Sequence, residues 1–156
     1  ILGYLDANPK NGRHIIATKI EHPSVLEVFK RLESRGYQAE YIDVDEKGML
    51  DLEKFRSAIK EDTSLISVIL VNNETGSIQA INKIVEIKNS INPKTAFHVD
   101  AVQAYGKMNL TTIRGYVDFM SVSSHKIHGP KAQGLFMLKI KQKLIRLFSA
   151  EGRRSP

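Results

Sequence analysis

Leu65-Ile66-Ser67-Val68-Ile69-Leu70-Val71 is a nearly unbroken apolar run, and the polar turn Asn72-Asn73-Glu74-Thr75-Gly76 follows it directly. A run of strand length with so little alternation suits a strand covered on both faces, the condition met in parallel sheets with helices above and below. The segment therefore belongs at the sheet centre. Outward from it in both directions, apolar runs of strand length alternate with stretches of helical period. That alternation predicts an α/β fold, a mostly parallel sheet flanked by helices.

Upstream, residues 14–18 read as a strand, after which His22-Pro23 opens a helix with proline at its first position and His22 at the cap. Val25, Phe29 and Leu32 give that helix an apolar stripe, Glu27 and Arg31 can pair one turn apart, and Gly36 marks its end. Residues 41–44 read as the next strand. Asp51 then caps a helix carrying Leu52, Phe55 and Ile59 on one side. Downstream, a helix with Ile84, Ile87 and Ile91 inward ends near Pro93, and residues 96–99, 119–122 and 134–138 complete the strands.

Composition limits what the chain can do. Its 156 residues, 42% hydrophobic, suffice for one sizeable core. A net charge of +6 attracts anions, but the basic residues are scattered and the aromatics amount to only 7% without tryptophan, so nucleic acid is not an expected partner. No apolar run approaches the roughly 18 residues of a membrane span, and no membrane association is expected. With no cysteine, disulfides, thiolate metal sites and a cysteine nucleophile within this chain are excluded, and a reducing compartment is allowed. The start lacks an initiator methionine and a signal-peptide pattern, so a fragment is expected.

Two segments carry the chemistry: His98-Val99-Asp100-Ala101-Val102-Gln103 and Ser123-Ser124-His125-Lys126-Ile127-His128-Gly129-Pro130-Lys131. Each sets ionisable groups directly after an apolar run, at the strand ends where open α/β sheets hold their ligands. Together they read as a pyridoxal phosphate site. A carboxylate at Asp100 can keep a pyridine nitrogen protonated, and a lysine at Lys126 can bond the cofactor's aldehyde. Alone, Asp100 reads equally well as a helix cap and Lys126 as a solvated charge. Gln103 can reach the cofactor's phenolic oxygen, and Ser123 and His125 offer donors suited to phosphate. His14 and His98 read as strand residues with satisfied rings.

The string SSHKIHGPK, preceded by HVDAVQ and VNNETG, resembles the cysteine desulfurases of the class V aminotransferase group, which are fold-type I pyridoxal phosphate enzymes. The resemblance runs from the first residues to about Lys143. It implies that residues 1–146 are the central part of a large cofactor-binding domain, with residues 147–156 a tail left unassigned. It also implies that Lys126 is the Schiff-base lysine, Asp100 the partner of the pyridine nitrogen and Gln103 the donor to the phenolic oxygen. Ser123 and His125 become phosphate ligands, and Asn73 lies by the cofactor and the substrate carboxylate. His22 becomes the histidine that stacks on the ring and takes part in proton transfer.

The activity so implied is removal of sulfur from L-cysteine, leaving L-alanine and an enzyme persulfide. Its expected setting is a cytoplasmic homodimer that passes sulfur to an acceptor such as an iron–sulfur scaffold. The chain departs from the pattern in having no cysteine and in carrying Ala132 where a glycine follows the Gly-Pro-Lys turn. With part of the family's phosphate cradle outside this sequence, weak cofactor binding and no turnover by the chain alone are expected. Two rival readings are another class V lyase, such as a selenocysteine lyase, and a noncatalytic α/β interaction module.

Overall fold

The computed structural model of the chain describes residues 1–123 and 134–138. Its elements in order are α1 (Leu2–Ala7), β1 (His14–Thr18), α2 (Pro23–Glu33), β2 (Gln38–Ile42), α3 (Leu52–Ala58) and β3 (Thr63–Ile69). They continue with α4 (Ile81–Ile91), β4 (Ala96–Asp100), α5 (Thr111–Arg114), β5 (Phe119–Ser123) and β6 (Gly134–Leu138). The strands form one sheet in the order β2-β1-β3-β4-β5-β6. Pairing is parallel from β2 through β5, and β6 joins β5 antiparallel, so the expected mostly parallel α/β sheet is present.

β3 lies inside the sheet, and all seven of its residues are buried. Side chains alternate between the two faces of a strand, which divides the core in two. On one face Ile16, Ile66, Val68, Phe97, Val99 and Met120 pack with Phe55 and Ala58 of α3 and Ile84 and Val85 of α4. On the other, Ile15, Leu65, Ala96 and Phe119 pack with Tyr4 and Leu5 of α1 and with Val25, Phe29 and Leu32 of α2. Helix α1, too short to show a helical period in the sequence, stacks the Tyr4 ring on Phe119 at 4.9 Å between centroids. Among the described residues no helix is long and apolar enough to cross a membrane, and no cluster of side chains could hold a metal ion.

Several boundaries and contacts differ from expectation. The strand expected at residues 41–44 runs instead over Gln38–Ile42, in register with His14–Thr18, while Val44 makes an isolated bridge to Leu50. Being an edge strand only partly covered, β2 carries Gln38 and Glu40, which hide its start from an apolar pattern. β3 starts at Thr63 and ends at Ile69 because Val71 turns aside to bridge Ile78. In α4 the inward face is Ile81, Ile84, Val85 and Lys88, and Ile91 is 40% exposed. Lys88 satisfies its buried ammonium by donating to the carbonyls of Pro93 and Thr95. Glu27 pairs with Lys30 at 2.7 Å and not with Arg31.

Candidate active site

The strand alternation that builds the second core face also builds a site above it. Along that face, Leu65, Ala96 and Phe119 are apolar and belong to the core. Two residues further along the same strands stand Ser67, His98 and Ser121, and two further again stand Ile69, Asp100 and Ser123. The sheet thus passes from an apolar layer through a polar row to a rim at the carboxyl ends of its parallel strands, where ligands of such sheets sit.

At that rim is a cavity of about 350 Å³ lined by His22, Ser24, Ile69, Asn73, Asp100, Val102, Gln103 and Ser123. It therefore brings together five of the seven residues singled out in the sequence: His22, Asn73, Asp100, Gln103 and Ser123. The other two, His125 and Lys126, lie outside the described residues, as does the turn at Gly129-Pro130. A cavity of similar volume, lined by Tyr105, Met108, Leu110 and Met120 among others, offers no carboxylate, imidazole or amine among its described residues.

His22 reaches the cavity because it ends the segment after β1 and caps α2. Its Nδ1 accepts from the Ser24 N–H at 3.2 Å and lies 2.8 Å from Ser24 Oγ, which fixes the ring at the helix start. The functional and capping readings of His22 are thus compatible. Asn73 is held in place by its neighbour: Asn72 Oδ1 accepts from the N–H groups of Glu74 and Thr75 at 2.9 Å each, and Asn72 Nδ2 donates to the Ile20 carbonyl at 3.0 Å. Gln103 follows Asp100 in a turn, where the Ala104 N–H donates to the Ala101 carbonyl at 3.0 Å.

Asp100 is the last residue of β4 and is 6% exposed. Its Oδ1 accepts from the Val102 N–H at 3.0 Å, and among the described residues its other oxygen has no hydrogen bond. Burial pushes this carboxyl up from the ordinary aspartate range, while the Val102 amide and the His22 imidazole pull it down. A half-bonded carboxyl on a cavity wall is placed to meet a cationic or N–H group of a ligand. The set fits a flat heterocycle with a basic ring nitrogen, met by Asp100 at one edge, with amide and hydroxyl donors from Asn73, Gln103 and Ser123 around it.

His98 has both ring nitrogens bonded, to Ser67 Oγ at 2.9 Å and to Ser121 Oγ at 2.8 Å, and His14 has Thr63 and Glu40 as partners. What sequence reading does not find is Glu21. It is buried beneath the cavity, in contact with Thr18, Ser67 and Ile69. A carboxylate beside a helix-capping histidine reads as solvated, and only the sheet brings Ser67 against it.

A family model described as aminotransferase class V matches residues 1–150. Cysteine desulfurase IscS of Colwellia psychrerythraea is 42% identical over 135 residues, covering 86% of this chain and 33% of that protein. Putative cysteine desulfurase IscS 1 of Bacillus subtilis is 41% identical over 134 residues, 86% of this chain and 35% of its own length. Among solved structures, a NifS-like protein superposes with a TM-score of 0.90 at 36% identity, covering 97% of this chain and 42% of that one. The chain thus spans about a third of the length of the curated relatives it matches.

Proposed function

The chain belongs to the class V aminotransferase family, and from that membership we propose that it forms part of a pyridoxal phosphate-dependent cysteine desulfurase. Such an enzyme takes sulfur from L-cysteine, leaving L-alanine and a persulfide on an acceptor cysteine. This chain contains no cysteine, so the acceptor thiol comes from outside these 156 residues. The observation that supports the reading most is the meeting of His22, Asn73, Asp100, Gln103 and Ser123 in one cavity at the strand ends. The likeness to proteins named cysteine desulfurase favours this activity over another class V lyase, and a noncatalytic module gives the buried Asp100 no use.

The bound cofactor supplies an electron sink for negative charge developing at the α-carbon of the substrate. Asp100 holds a proton at the ring nitrogen, which a buried carboxylate does more firmly than a solvated one. His22, on the cavity wall, would pack against the ring, and its imidazole would move a proton there. Gln103 donates through its amide to the phenolic oxygen. Asn73 receives the substrate carboxylate, and Ser123 and His125 donate to the phosphate. Lys126 would hold the cofactor's aldehyde through Nζ, and the same amine would take the α-proton. Residues 1–146 form the cofactor-binding portion. The assembly is a cytoplasmic homodimer that hands sulfur to an acceptor such as an iron–sulfur scaffold protein.

The test is the visible absorption of the chain titrated with pyridoxal phosphate, beside Lys126→Ala and Asp100→Ala. A new band lost in both variants supports the reading. A band unchanged in both overturns it.

A further inference from the structure

Glu21 has no part in the steps above, yet it is 4% exposed and hydrogen-bonded at both oxygens. Its Oε1 accepts from the Thr18 hydroxyl at 2.7 Å and from the Ile69 N–H at 2.5 Å. Its Oε2 lies 3.0 Å from Ser67 Oγ. From there the row continues, with Ser67 Oγ 2.9 Å from His98 Nδ1 and His98 Nε2 2.8 Å from Ser121 Oγ. Ser121 is the register partner of Asp100 across β4 and β5.

Donors and acceptors can alternate along this row in only two ways. With Glu21 ionised, Ser67 donates to Oε2, so its oxygen must accept from His98 Nδ1–H, and Nε2 accepts from the Ser121 hydroxyl. With Glu21 protonated at Oε2, every donation reverses: Glu21 donates to Ser67, Ser67 donates to Nδ1, and Nε2–H donates to Ser121. A mixed row sets two donors or two acceptors face to face in the interior, leaving a buried polar group unpaired at a cost of about 1–3 kcal/mol. The directions therefore change together.

We infer that Glu21 sets the hydrogen-bond direction of the row beneath the cavity: one proton on its carboxyl selects the tautomer of His98 and the direction of donation from Ser67 to Ser121. Burial, with Asp100 adding to it, lifts the Glu21 carboxyl to about 7 against the bonds from Thr18, Ile69 and Ser67. The coupling is reciprocal, so an ionised Glu21 opposes the charge on Asp100 and a protonated one permits it. Burial holds His98 at about 3. Its ring therefore stays neutral across this range and changes only its tautomer.

Among the described residues the ionisable groups around Glu21 are Asp100 and, through Ser67, His98 from β4, with His22 next to it in the chain. From β1 and β3 the described groups that bond it are the Thr18 and Ser67 hydroxyls and the Ile69 amide. The consequence for Asp100 rests on the function proposed above. The row itself is tested on the full chain without any ligand, so the two can fail separately.

The experiment is side-chain ¹⁵N NMR of the histidines between pH 5 and 9. The wild type should pass from an Nε2–H tautomer of His98 to an Nδ1–H tautomer near pH 7. Glu21→Gln, whose amide mimics the protonated acid, should hold Nε2–H throughout. Ser67→Ala should keep the Glu21 carboxyl titration and abolish the response of His98. A single His98 tautomer across the range in the wild type, or an unchanged switch in either variant, overturns the proposal.

Discussion

His98 and Asp100 leave the same face of β4 two residues apart, in opposite circumstances. His98 is 1% exposed with both nitrogens bonded inside the sheet, whereas Asp100 ends the strand at the cavity wall with one oxygen bonded and, among the described residues, no hydrogen bond to the other. Among the described residues the strand thus carries a fully bonded imidazole and, two residues on, a carboxylate with one oxygen left for a ligand's donor. A charge-assisted hydrogen bond there contributes more than a neutral one.

Asp100→Asn should separate stability from binding. Asparagine keeps an acceptor for the Val102 N–H and removes a carboxyl whose burial raises it. A group raised in the fold loses stability as pH climbs through its folded value, so at pH 8 the variant should be at least as resistant to urea as the wild type. Pyridoxal phosphate affinity should fall by about tenfold or more, since a charge-assisted hydrogen bond is worth roughly 1.5–3 kcal/mol. A variant that loses urea resistance and keeps affinity contradicts this.

Glu21 should make stability fall between about pH 4.5 and 7. Its carboxyl is raised from 4.5 to about 7, so the folded chain holds a proton that the unfolded chain releases in that window. Stability from this source is complete below 4.5 and lost as pH rises through 7, to a limit of about 3 kcal/mol. Glu21→Gln removes the titration. Its urea midpoint should rise relative to the wild type from pH 4.5 to 7.5, and parallel curves would refute the assignment.

His98 acts with the opposite sign. Its folded value, lowered from 6.5 to about 3 chiefly by burial, gives stability present above 6.5 and lost as pH falls toward 3. His98→Gln should flatten the fall in urea midpoint between pH 6.5 and 4. An equally steep fall would place the acid sensitivity elsewhere.

Gly12 should tolerate no side chain. Its φ is +105°, and an added Cβ would lie 2.1 Å from the Asp62 carbonyl oxygen, just ahead of β1. Gly12→Ala should cost about 3 kcal/mol or more by thermal or urea unfolding. Gly115→Ala, with an ordinary φ and open space around the added atom, should stay within about 0.5 kcal/mol.

The sequence discloses those parts of the fold that depend on local pattern. The apolar run at residues 65–71 marks the interior strand, and Pro23 and Asp51 mark helix starts where proline and a side-chain cap belong. It is silent where partners come from afar. β2 is an edge strand with polar residues, and its limits follow from pairing with β1. α1 is fixed by Tyr4 on Phe119, a contact across most of the chain. The site divides the same way: Asp100 and Gln103 stand out beside an apolar run, while Glu21 gains its meaning only from Ser67, 46 residues away.

The central claim is that this cavity receives pyridoxal phosphate with Asp100 at the ring nitrogen and Lys126 at the aldehyde. The most direct measurement is borohydride reduction of the chain incubated with pyridoxal phosphate, followed by peptide mass mapping of every labelled lysine. Reduction traps even brief occupancy. The account predicts label concentrated on Lys126 and reduced about tenfold by Asp100→Ala. Label spread evenly over the lysines, or unaffected by loss of Asp100, would contradict it.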